Sequence, residues 1–473
     1  MTEYNRPNDL LDRETEWDRL LELWRNPAPD LVFVLGRRRA GKSFLLGRLA
    51  QTVNGLYFQA TRRTEAEQLH RLSALVGTHF QDPALEHGVP FPDWESLFGY
   101  LTRHAREQPL LIVLDEFTWL TDSAPALPSI VQSFWDHQWQ DTQLTLVLSG
   151  SHITAMRRLE EADQPLYGRR TARLDMAPFD FARATAFFRN YLPRERLTAY
   201  GIFGGLPGHL ALLDPGRTLG DNVARQMLSP GGRLLDEAQH MLDAFLADAI
   251  VHYSVIEAIA GGERTWKGIT NRVGRVGGSL SRAMEWLIGM GLIERVVPIT
   301  ERNPRKSKRA MFRVADPYVD FWHRFISPMV SAGMIGLAPS EQLWTERIAP
   351  HLDEYMGGAF EAICRDFAGR AGRLPFQPLR IGTWWDGTSR NEIDVVALGG
   401  QGEVLVGECK WGRFDASDLA RVRERTAAML PELERVGDVW TAVFAGGGVS
   451  DDVRAESERG RILLYTVQEL NEW

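Results

Sequence analysis

Residues 36–43 read GRRRAGKS, a glycine-rich segment that ends in a lysine and a hydroxyl residue. In such a segment glycines let backbone N–H groups converge on phosphate oxygens, and the following helix adds its positive dipole end. Lys42 is then placed to reach the β- and γ-phosphates, and the Ser43 hydroxyl to bind Mg²⁺. The spacing predicts a site for ATP and Mg²⁺. Its predicted cofactor-binding residues are Gly36, Arg37, Ala40, Gly41, Lys42, Ser43 and Phe44.

An acidic pair, Asp115 and Glu116, follows the apolar run PLLIVL. A phosphate-binding loop needs an acidic partner on a neighbouring strand, and Asp115 is predicted to hold Mg²⁺ there. Glu116 is placed to polarise an attacking water as a general base, so the pair predicts hydrolysis and not binding alone. The next apolar run, LTLVLSGS, ends in polar residues at 149–151, which suits a sensor near the γ-phosphate.

A second group of residues that could perform chemistry lies in the C-terminal third, where Glu408 and Lys410 stand near the end of the run VLVGECKW. Side chains alternate along a strand, so these two share one face. Asp394 opens the preceding strand, and the hairpin turn brings it close to Glu408. Two carboxylates and a lysine on adjacent strands predict a Mg²⁺ site with a charge that orients the attacking water. A buried salt-bridged cluster that does not cut is the alternative.

Each of these groups of polar residues lies in or directly after an apolar run that is long enough to form a strand. Residues 31–35 and 110–114 are typical of fully buried strands, and leucines at helical spacing follow the phosphate loop. Residues 393–398 and 403–410 flank a Gly-Gly-Gln-Gly turn and predict a hairpin, which a helix at 415–433 follows. These patterns predict an α/β protein.

The middle of the chain has a different character. Three predicted helices, in AIVHYSVIEAIAGG, TWKGITNRVG and SLSRAMEWLIGMG, precede two strands that flank the basic turn RNPRKSKR at 302–309. Leu280, Met284, Leu287 and Ile288 form the predicted core stripe of the third helix. The pattern is that of a winged helix, whose third helix and basic wing predict contact with DNA. Packing as a regulatory element is the alternative. The aromatic run DPYVDFWHRFISP predicts a packing helix.

Composition limits the partners and the compartment. A chain of 473 residues predicts two to four domains, and its net charge of −8 confines any DNA contact to a local basic patch. Two cysteines, without metal-ligand spacing, exclude a disulfide framework or a zinc site and suit a reducing cytosol. The polar start and the lack of an 18-residue apolar run predict a cytoplasmic protein that has no membrane contact.

Six motifs occur in the order seen in the archaeal-type ATPases of the AAA+/STAND group. They are DRETEWDRLLELW, GRRRAGKSFLL, LDEF, LSGSHITAM, YGRRTARLDMAPF and GGLPGHL. The resemblance implies an α/β core with a helical lid near residues 181–245. It also favours Arg169 over Arg170 as an arginine that stabilises transition-state charge, in cis or from a neighbouring subunit.

The C-terminal region resembles the PD-(D/E)XK nuclease core, through Asp394, thirteen further residues and then Glu-Cys-Lys. In that core a glutamate on an upstream helix completes the metal shell, which implies a role for Glu361. The chain departs from the strictest pattern because no proline precedes Asp394. The same region, with TWWDGTSRNEIDVVA and GECKW, also resembles the C-terminal domain of unknown function in the ATPase family.

The sequence thus predicts four parts: a P-loop ATPase core at 1–180, a helical lid at 181–245, a winged helix at 246–335 and a nuclease-like domain at 340–473. ATP at Lys42 and Asp115 is predicted to control access of DNA to Glu408 and Lys410. The alternative is a signalling or scaffold ATPase that forms a homo-oligomer with ATP and whose C-terminal domain binds DNA or protein without cleaving it.

Overall fold

The computed structural model describes residues 4–86, 88–243, 249–274, 277–388 and 390–472. The chain divides into two compact units, Met1–Pro178 and Phe179–Trp473. The predicted boundary between lid and winged helix, at 245/246, lies outside the described residues.

The first unit is built on a five-stranded sheet in the order β2-β3-β4-β1-β5, with every neighbouring pair parallel. The strands are β1 Asp30–Leu35, β2 Leu56–Gln59, β3 Leu110–Asp115, β4 Leu144–Gly150 and β5 Ala172–Asp175. All residues of β1, β3 and β4 are buried. Burial on both faces explains their continuous apolar sequences and confirms the predicted α/β fold of this unit.

Helices connect these strands. They are α1 Glu14–Arg25, α2 Lys42–Val53, α3 Glu65–Phe80, α4 Pro83–Glu86, α5 Trp94–Glu107, α6 Phe117–Ser123, α7 Leu127–His137 and α8 Ile153–Arg158. The helix α5 begins where the Asp93 side chain accepts a hydrogen bond from the Ser96 amide. Trp94, Leu97, Phe98 and Leu101 on its buried face pack into the core of the sheet. Because the strands are parallel, their carboxyl ends share one edge, where ligands bind in folds of this type.

The second unit begins with short helices, at the residues predicted to form a lid. They are α9 Phe181–Ala184, α10 Pro193–Phe203, α11 Pro207–Leu210, α12 Leu219–Val223 and α13 Glu237–Asp243. The Thr218 side chain accepts from the Asp221 amide and so begins α12.

Three helices and a hairpin follow: α14 Ile250–Ala260, α15 Trp266–Val273, α16 Gly278–Gly289, β6 Ile293–Val296 and β7 Met311–Val314, with β6 and β7 antiparallel. The predicted core stripe is wrong at one residue, Ile288, whose side chain is 39% exposed. Leu280, Ala283, Met284 and Leu287 are the buried residues of α16. Ile288 lies one residue beyond this stripe, so it faces outward.

Aromatic residues fill the next segment, which contains α17 Pro317–Phe321 and α18 Ser327–Ser331 with a π-helical turn between them. Phe321, Trp322 and Phe325 are buried there. The Trp322 indole N–H donates to the Leu235 carbonyl at 2.6 Å. These contacts agree with the predicted packing helix.

The C-terminal part holds a second five-stranded sheet in the order β12-β11-β10-β9-β8. Its elements are α19 Ser340–Leu343, α20 Leu352–Ala368, β8 Pro378–Trp385, β9 Glu392–Gly399, β10 Val404–Lys410, α21 Ala416–Met429, β11 Val439–Ala445, α22 Asp451–Glu458 and β12 Leu463–Thr466. Strands β8, β9 and β10 are antiparallel, whereas β10, β11 and β12 are parallel. The predicted hairpin is present to within one residue at each end, and α21 ends four residues before the predicted 433.

The loop after β6 joins this second sheet. Ile299 packs with Trp384, Ile393 and Val406 in one hydrophobic cluster. Its backbone N–H donates to the Thr383 carbonyl at 2.9 Å. The residues predicted as a wing and the C-terminal sheet therefore share a core.

Candidate functional site

The phosphate loop connects β1 to α2 at the carboxyl edge of the first sheet. Gly36 must be glycine, because a Cβ there would lie 2.6 Å from the Met176 carbonyl oxygen. Gly41, with φ of 92°, turns the chain into α2. Ala40, between them in the loop, is fully buried. The loop thus has the backbone shape that the sequence predicts for a phosphate cradle.

Lys42 and Arg37 are both buried cations of this loop. The Lys42 Nζ donates to the carbonyl oxygens of Gly36, at 2.6 Å, and Arg37, at 3.1 Å. Burial lowers the pKa of Lys42, and the nearby carboxylates of Glu116 and Asp115 oppose that shift. The ammonium is therefore held inside the loop, where a phosphate would supply the missing negative charge.

Asp115, at the end of β3, is completely buried, and sequence analysis missed its partner. The Tyr57 hydroxyl donates to Asp115 Oδ2 at 2.6 Å and also makes a hydrogen bond with Ser43. Burial, followed by the Asp115 carboxylate, raises the pKa of Tyr57, so the phenol stays a neutral donor. Tyr57 thus bridges the two predicted Mg²⁺ ligands of this site. Nothing in the short strand LYFQ signals this, because the contact depends on the pairing of β2 with β3.

Glu116 is held by a serine at the end of the neighbouring strand. Its carboxylate accepts hydrogen bonds from the Ser151 hydroxyl, at 2.8 Å, and from the Ser151 amide, at 3.1 Å. Its backbone has φ of 53°, a left-handed conformation that is costly for a residue with a side chain. The predicted polar sensor at 149–151 therefore contacts the predicted general base. The buried Ser149 Oγ has no hydrogen-bond partner in the described part of the chain.

The remaining predicted nucleotide residues lie further out. Phe44 is 47% exposed in the first turn of α2, where the Arg48 guanidinium lies 5.2 Å from its ring centroid. The Arg169 guanidinium donates to Asp136 at 2.9 and 2.7 Å, and Arg170 pairs with Glu160. The structure thus places both arginines in pairs with surface acids, and the sensor role of Arg169 stays a prediction.

Three carboxylates converge in the second unit, and we call Glu361, Asp394 and Glu408 the carboxylate cluster. They lie on α20, β9 and β10. Burial, followed by repulsion from Glu361 and Glu408, raises the pKa of Asp394 well above its usual range. Burial also raises the pKa of Glu361 and of Glu408. The structure therefore brings together the three carboxylates that sequence analysis selected.

Cations already contact this cluster. Both carboxylate oxygens of Glu408 accept from Arg425, at 2.8 and 2.9 Å. Glu361 lies 3.7 Å from Arg365, whose guanidinium also donates to the Asp394 carbonyl at 3.0 Å. Arg425 is on α21, seventeen residues after Glu408, and no short-range pattern in the sequence could have identified it.

Lys410, the predicted catalytic lysine, is engaged elsewhere. Its Nζ lies 2.6 Å from Asp418, which is buried near the start of α21. The Asp418 carboxylate also accepts from the Asp415 amide and pairs with Arg421. Lys410 is thus part of a separate charged network on the same strand as Glu408.

The donor set of the cluster suits a hard divalent cation, because it consists of carboxylate oxygens. Within the described ranges, however, no three His, Cys, Asp or Glu side chains are gathered as ligands of one metal ion. The Arg425 guanidinium supplies the positive charge at Glu408 that a metal ion would supply. The chemistry of the residues therefore fits a cation, but their present arrangement does not form a closed site.

The two cysteines meet beside this cluster, although the chain separates them by 45 positions. The thiols of Cys364, on α20, and Cys409, on β10, share a hydrogen bond. Burial raises the pKa of both thiols, which makes them poor nucleophiles. We therefore assign them to packing between the helix and the strand.

The basic turn at 302–309 is only partly free. Arg309 donates to Glu301 at 2.6 Å, to Glu432 at 3.2 Å and to the Trp385 carbonyl at 3.2 Å. Arg302 is highly exposed and lies 3.3 Å from Glu434. Part of the positive charge of the predicted wing is therefore paired with acids that follow α21.

Two family models match separate stretches of the chain. Residues 10–213 match an ATPase domain that occurs predominantly in Archaea. Residues 322–422 match a family of archaeal and bacterial proteins of unknown function. The first match covers the phosphate loop, the acidic pair and the serine that holds Glu116.

Individual proteins are similar to larger parts of the chain. An uncharacterised protein of Methanocaldococcus jannaschii is 27% identical over 418 residues, which are 87% of this chain and 90% of that protein. The Walker-type ATPase PABY2304 of Pyrococcus abyssi is similar in structure, with a TM-score of 0.52 and 22% identity over 68% of this chain and 99% of that chain. The ORC2 protein of Aeropyrum pernix has a TM-score of 0.44 and 16% identity over 70% of this chain and 97% of its own. Among the described residues, no helix is long and apolar enough to cross a membrane.

Proposed function

We propose, from the premise that residues 10–213 belong to the archaeal-type ATPase domain family, that this ATPase acts as a nucleotide-driven switch. Residues 322–422 belong to the family of unknown function and supply the part that is switched. In this proposal ATP turnover controls access of nucleic acid to a winged helix, at 246–335, and to a metal-dependent nuclease-like domain, at 340–473.

At the nucleotide site, the residues that would hold Mg²⁺ are Ser43 and Asp115. When bound, the ion neutralises phosphate charge. Lys42 exchanges its two loop carbonyls for phosphate oxygens, and the loop amides of Gly36 to Gly41 hold the remaining oxygens. Glu116 acts as general base once its carboxylate leaves Ser151, so release of Ser151 couples nucleotide binding to hydrolysis.

At the carboxylate cluster, the residues that would hold a divalent cation are Glu361, Asp394 and Glu408. Such an ion activates a water for attack on a phosphodiester. Binding requires Glu408 to release Arg425. Lys410 must also leave Asp418 before it can orient a water or contact a phosphate.

One observation carries the nuclease-like part of the proposal. Asp394 is buried between the half-buried Glu361 and Glu408, and burial followed by repulsion from these two carboxylates raises the pKa of Asp394. Such an arrangement is costly in a folded protein unless a cation binds there. Convergent buried carboxylates are therefore more typical of a binding site than of a structural contact.

The second candidate is an ATPase whose C-terminal domain binds nucleic acid or protein without cleaving it. The pairing of Arg425 with both oxygens of Glu408 favours this candidate, because the carboxylate is already neutralised. The Lys410–Asp418 pair also favours this second candidate, because Lys410 is already paired with an acid.

Degradation of plasmid DNA and oligonucleotides with Mg²⁺ or Mn²⁺, with and without ATP, tests the proposal. We expect cleavage by the wild type, loss of cleavage in Asp394→Ala and Lys410→Ala, and altered ATP dependence in Lys42→Ala. Cleavage that persists unchanged in Lys42→Ala and without ATP removes the coupling between the sites. Absence of cleavage under all conditions selects the second candidate.

A further inference from the structure

A cleft of about 850 Å³ opens in the second unit between the β6–β7 hairpin, α20 and β8. We call it the arginine cleft, because five arginines line it: Arg295, Arg313, Arg365, Arg370 and Arg380. We propose that the arginine cleft binds the phosphodiester backbone of a nucleic acid strand and leads it to the carboxylate cluster. This inference deepens the proposed function and rests on it.

The charge of the cleft favours an anion. Five guanidinium groups face three carboxylates, those of Asp180, Glu294 and Asp366. Arg313 pairs with Glu294, and Arg370 pairs with Asp180. The guanidinium fork matches the oxygens of a phosphate and binds it more specifically than a lysine does.

Two of the arginines have no acid partner among the residues that the structure describes. Arg295 donates to the carbonyl oxygens of Pro304, at 2.8 Å, and Ser307, at 3.1 Å. Arg380 donates to the carbonyl oxygen of Ile299 at 2.6 Å. Carbonyl oxygens orient a guanidinium but leave its positive charge in place, so both groups remain available to a phosphate.

Like charges also lie close together on the inner wall. Burial, followed by repulsion from Arg365, lowers the pKa of Arg313. Two neighbouring guanidinium groups in a half-buried wall repel each other unless an anion lies between them. This repulsion distinguishes the cleft from an ordinary surface, where arginines lie apart and are fully solvated.

The cleft adjoins the carboxylate cluster through a single side chain. Arg365 lines the cleft, donates to the Asp394 carbonyl at 3.0 Å and lies 3.7 Å from Glu361. A phosphate bound at this wall is therefore next to two members of the cluster. In the basic turn, by contrast, Arg309 is already engaged by Glu301, Glu432 and the Trp385 carbonyl.

Anisotropy of a fluorescein-labelled single-stranded oligonucleotide, with the full-length protein in EDTA, both with and without ATP, tests the inference. The variant Arg370→Ala/Arg380→Ala should bind at least roughly tenfold more weakly, with a shallower dependence of affinity on salt. The matched control Arg459→Ala/Arg461→Ala removes two exposed arginines that pair with Glu456 outside the cleft and the basic turn, and it should change affinity by less than about twofold. ATPase rates and melting temperatures of both variants should equal those of the wild type.

Photo-cross-linking of the same oligonucleotide to the wild type gives an answer even if the cleft variant does not fold. We expect cross-links in peptides spanning 293–299, 311–314 and 365–383. Cross-links confined to 302–309 or to α16, equal weakening by the two variants, or no binding by the wild type would overturn the inference. Competition by mononucleotide as strong as by an unlabelled oligonucleotide would assign the cleft to a small nucleotide instead.

The outcome is separable from that of the proposed function. Binding in the cleft without any cleavage leaves the inference intact and removes only the nuclease activity. Cleavage that is unaffected by Arg370→Ala/Arg380→Ala leaves the nuclease activity intact and removes the inference.

Discussion

The nucleotide site and the carboxylate cluster both place acids at strand ends, but they differ in what contacts those acids. In the first unit, Asp115 accepts from the Tyr57 hydroxyl and Glu116 accepts from Ser151. In the second unit, Glu408 accepts from the Arg425 guanidinium. Neutral donors orient a carboxylate and leave its negative charge in place. A guanidinium orients the carboxylate and also neutralises its charge. In our proposal the nucleotide site can therefore bind a metal ion directly, whereas the carboxylate cluster must first release Arg425.

Lys42→Ala is the strongest way to break the nucleotide site. Loss of the buried ammonium removes the group that we propose to contact the β- and γ-phosphates, so ATP hydrolysis should fall by about 10²–10³-fold. Phosphate release measures the rate, and circular dichroism provides the control for folding. A rate within about threefold of the wild type would show that hydrolysis does not take place at this loop.

Glu116→Gln separates hydrolysis from binding. The amide can still accept from Ser151 but cannot act as a base, so kcat should fall by about 10²-fold while the affinity for ATP is retained. Ser151→Ala is the matched variant, and because it releases the Glu116 carboxylate it should raise kcat by about threefold to tenfold. Equal loss of ATP binding in Glu116→Gln would mean that Glu116 holds the nucleotide instead.

Asp394→Asn tests whether the cluster is a binding site or a stabilising contact. Burial and two neighbouring carboxylates raise the pKa of Asp394, so this residue costs folding free energy at pH values above the pKa of an unfolded aspartate. The amide oxygen can still accept from the Cys409 amide, so the metal-free variant should be more stable by about 1–2 kcal/mol. Urea unfolding in EDTA measures the free energy of unfolding. A decrease of similar size would indicate a structural salt-bridge cluster.

Tyr57→Phe has the smallest expected effect and sharpens the role of the neutral donors. It removes one hydrogen bond that orients Asp115 and Ser43, a loss of about 0.5–1.5 kcal/mol. Nucleotide affinity should weaken several-fold in Mg²⁺ and stay unchanged in EDTA, as measured by calorimetry with ADP. Equal weakening in both conditions would assign Tyr57 to packing alone.

The sequence predicted those parts of the sites that depend on neighbours along the chain. Lys42, Ser43 and the Asp115–Glu116 pair follow from a strand, a turn and a helix in succession, and the hairpin of Asp394 and Glu408 from two runs joined by glycines. Tyr57, Ser151 and Arg425 contact these residues only through sheet order or helix packing. Ile288 was misplaced because helical spacing alone does not decide where a buried stripe ends. The pairing of Arg309 depends on a distant segment, which no local pattern indicates.

Binding of Mn²⁺, measured by electron paramagnetic resonance without nucleotide, tests most directly whether Arg425 occupies the place of a cation. Arg425 competes with a metal ion for Glu408, so its removal should raise the affinity of the cluster for Mn²⁺ by roughly tenfold. We predict one Mn²⁺ site that is absent from Asp394→Asn and about tenfold tighter in Arg425→Ala than in the wild type. Mn²⁺ binding that is identical in the three proteins would contradict the account.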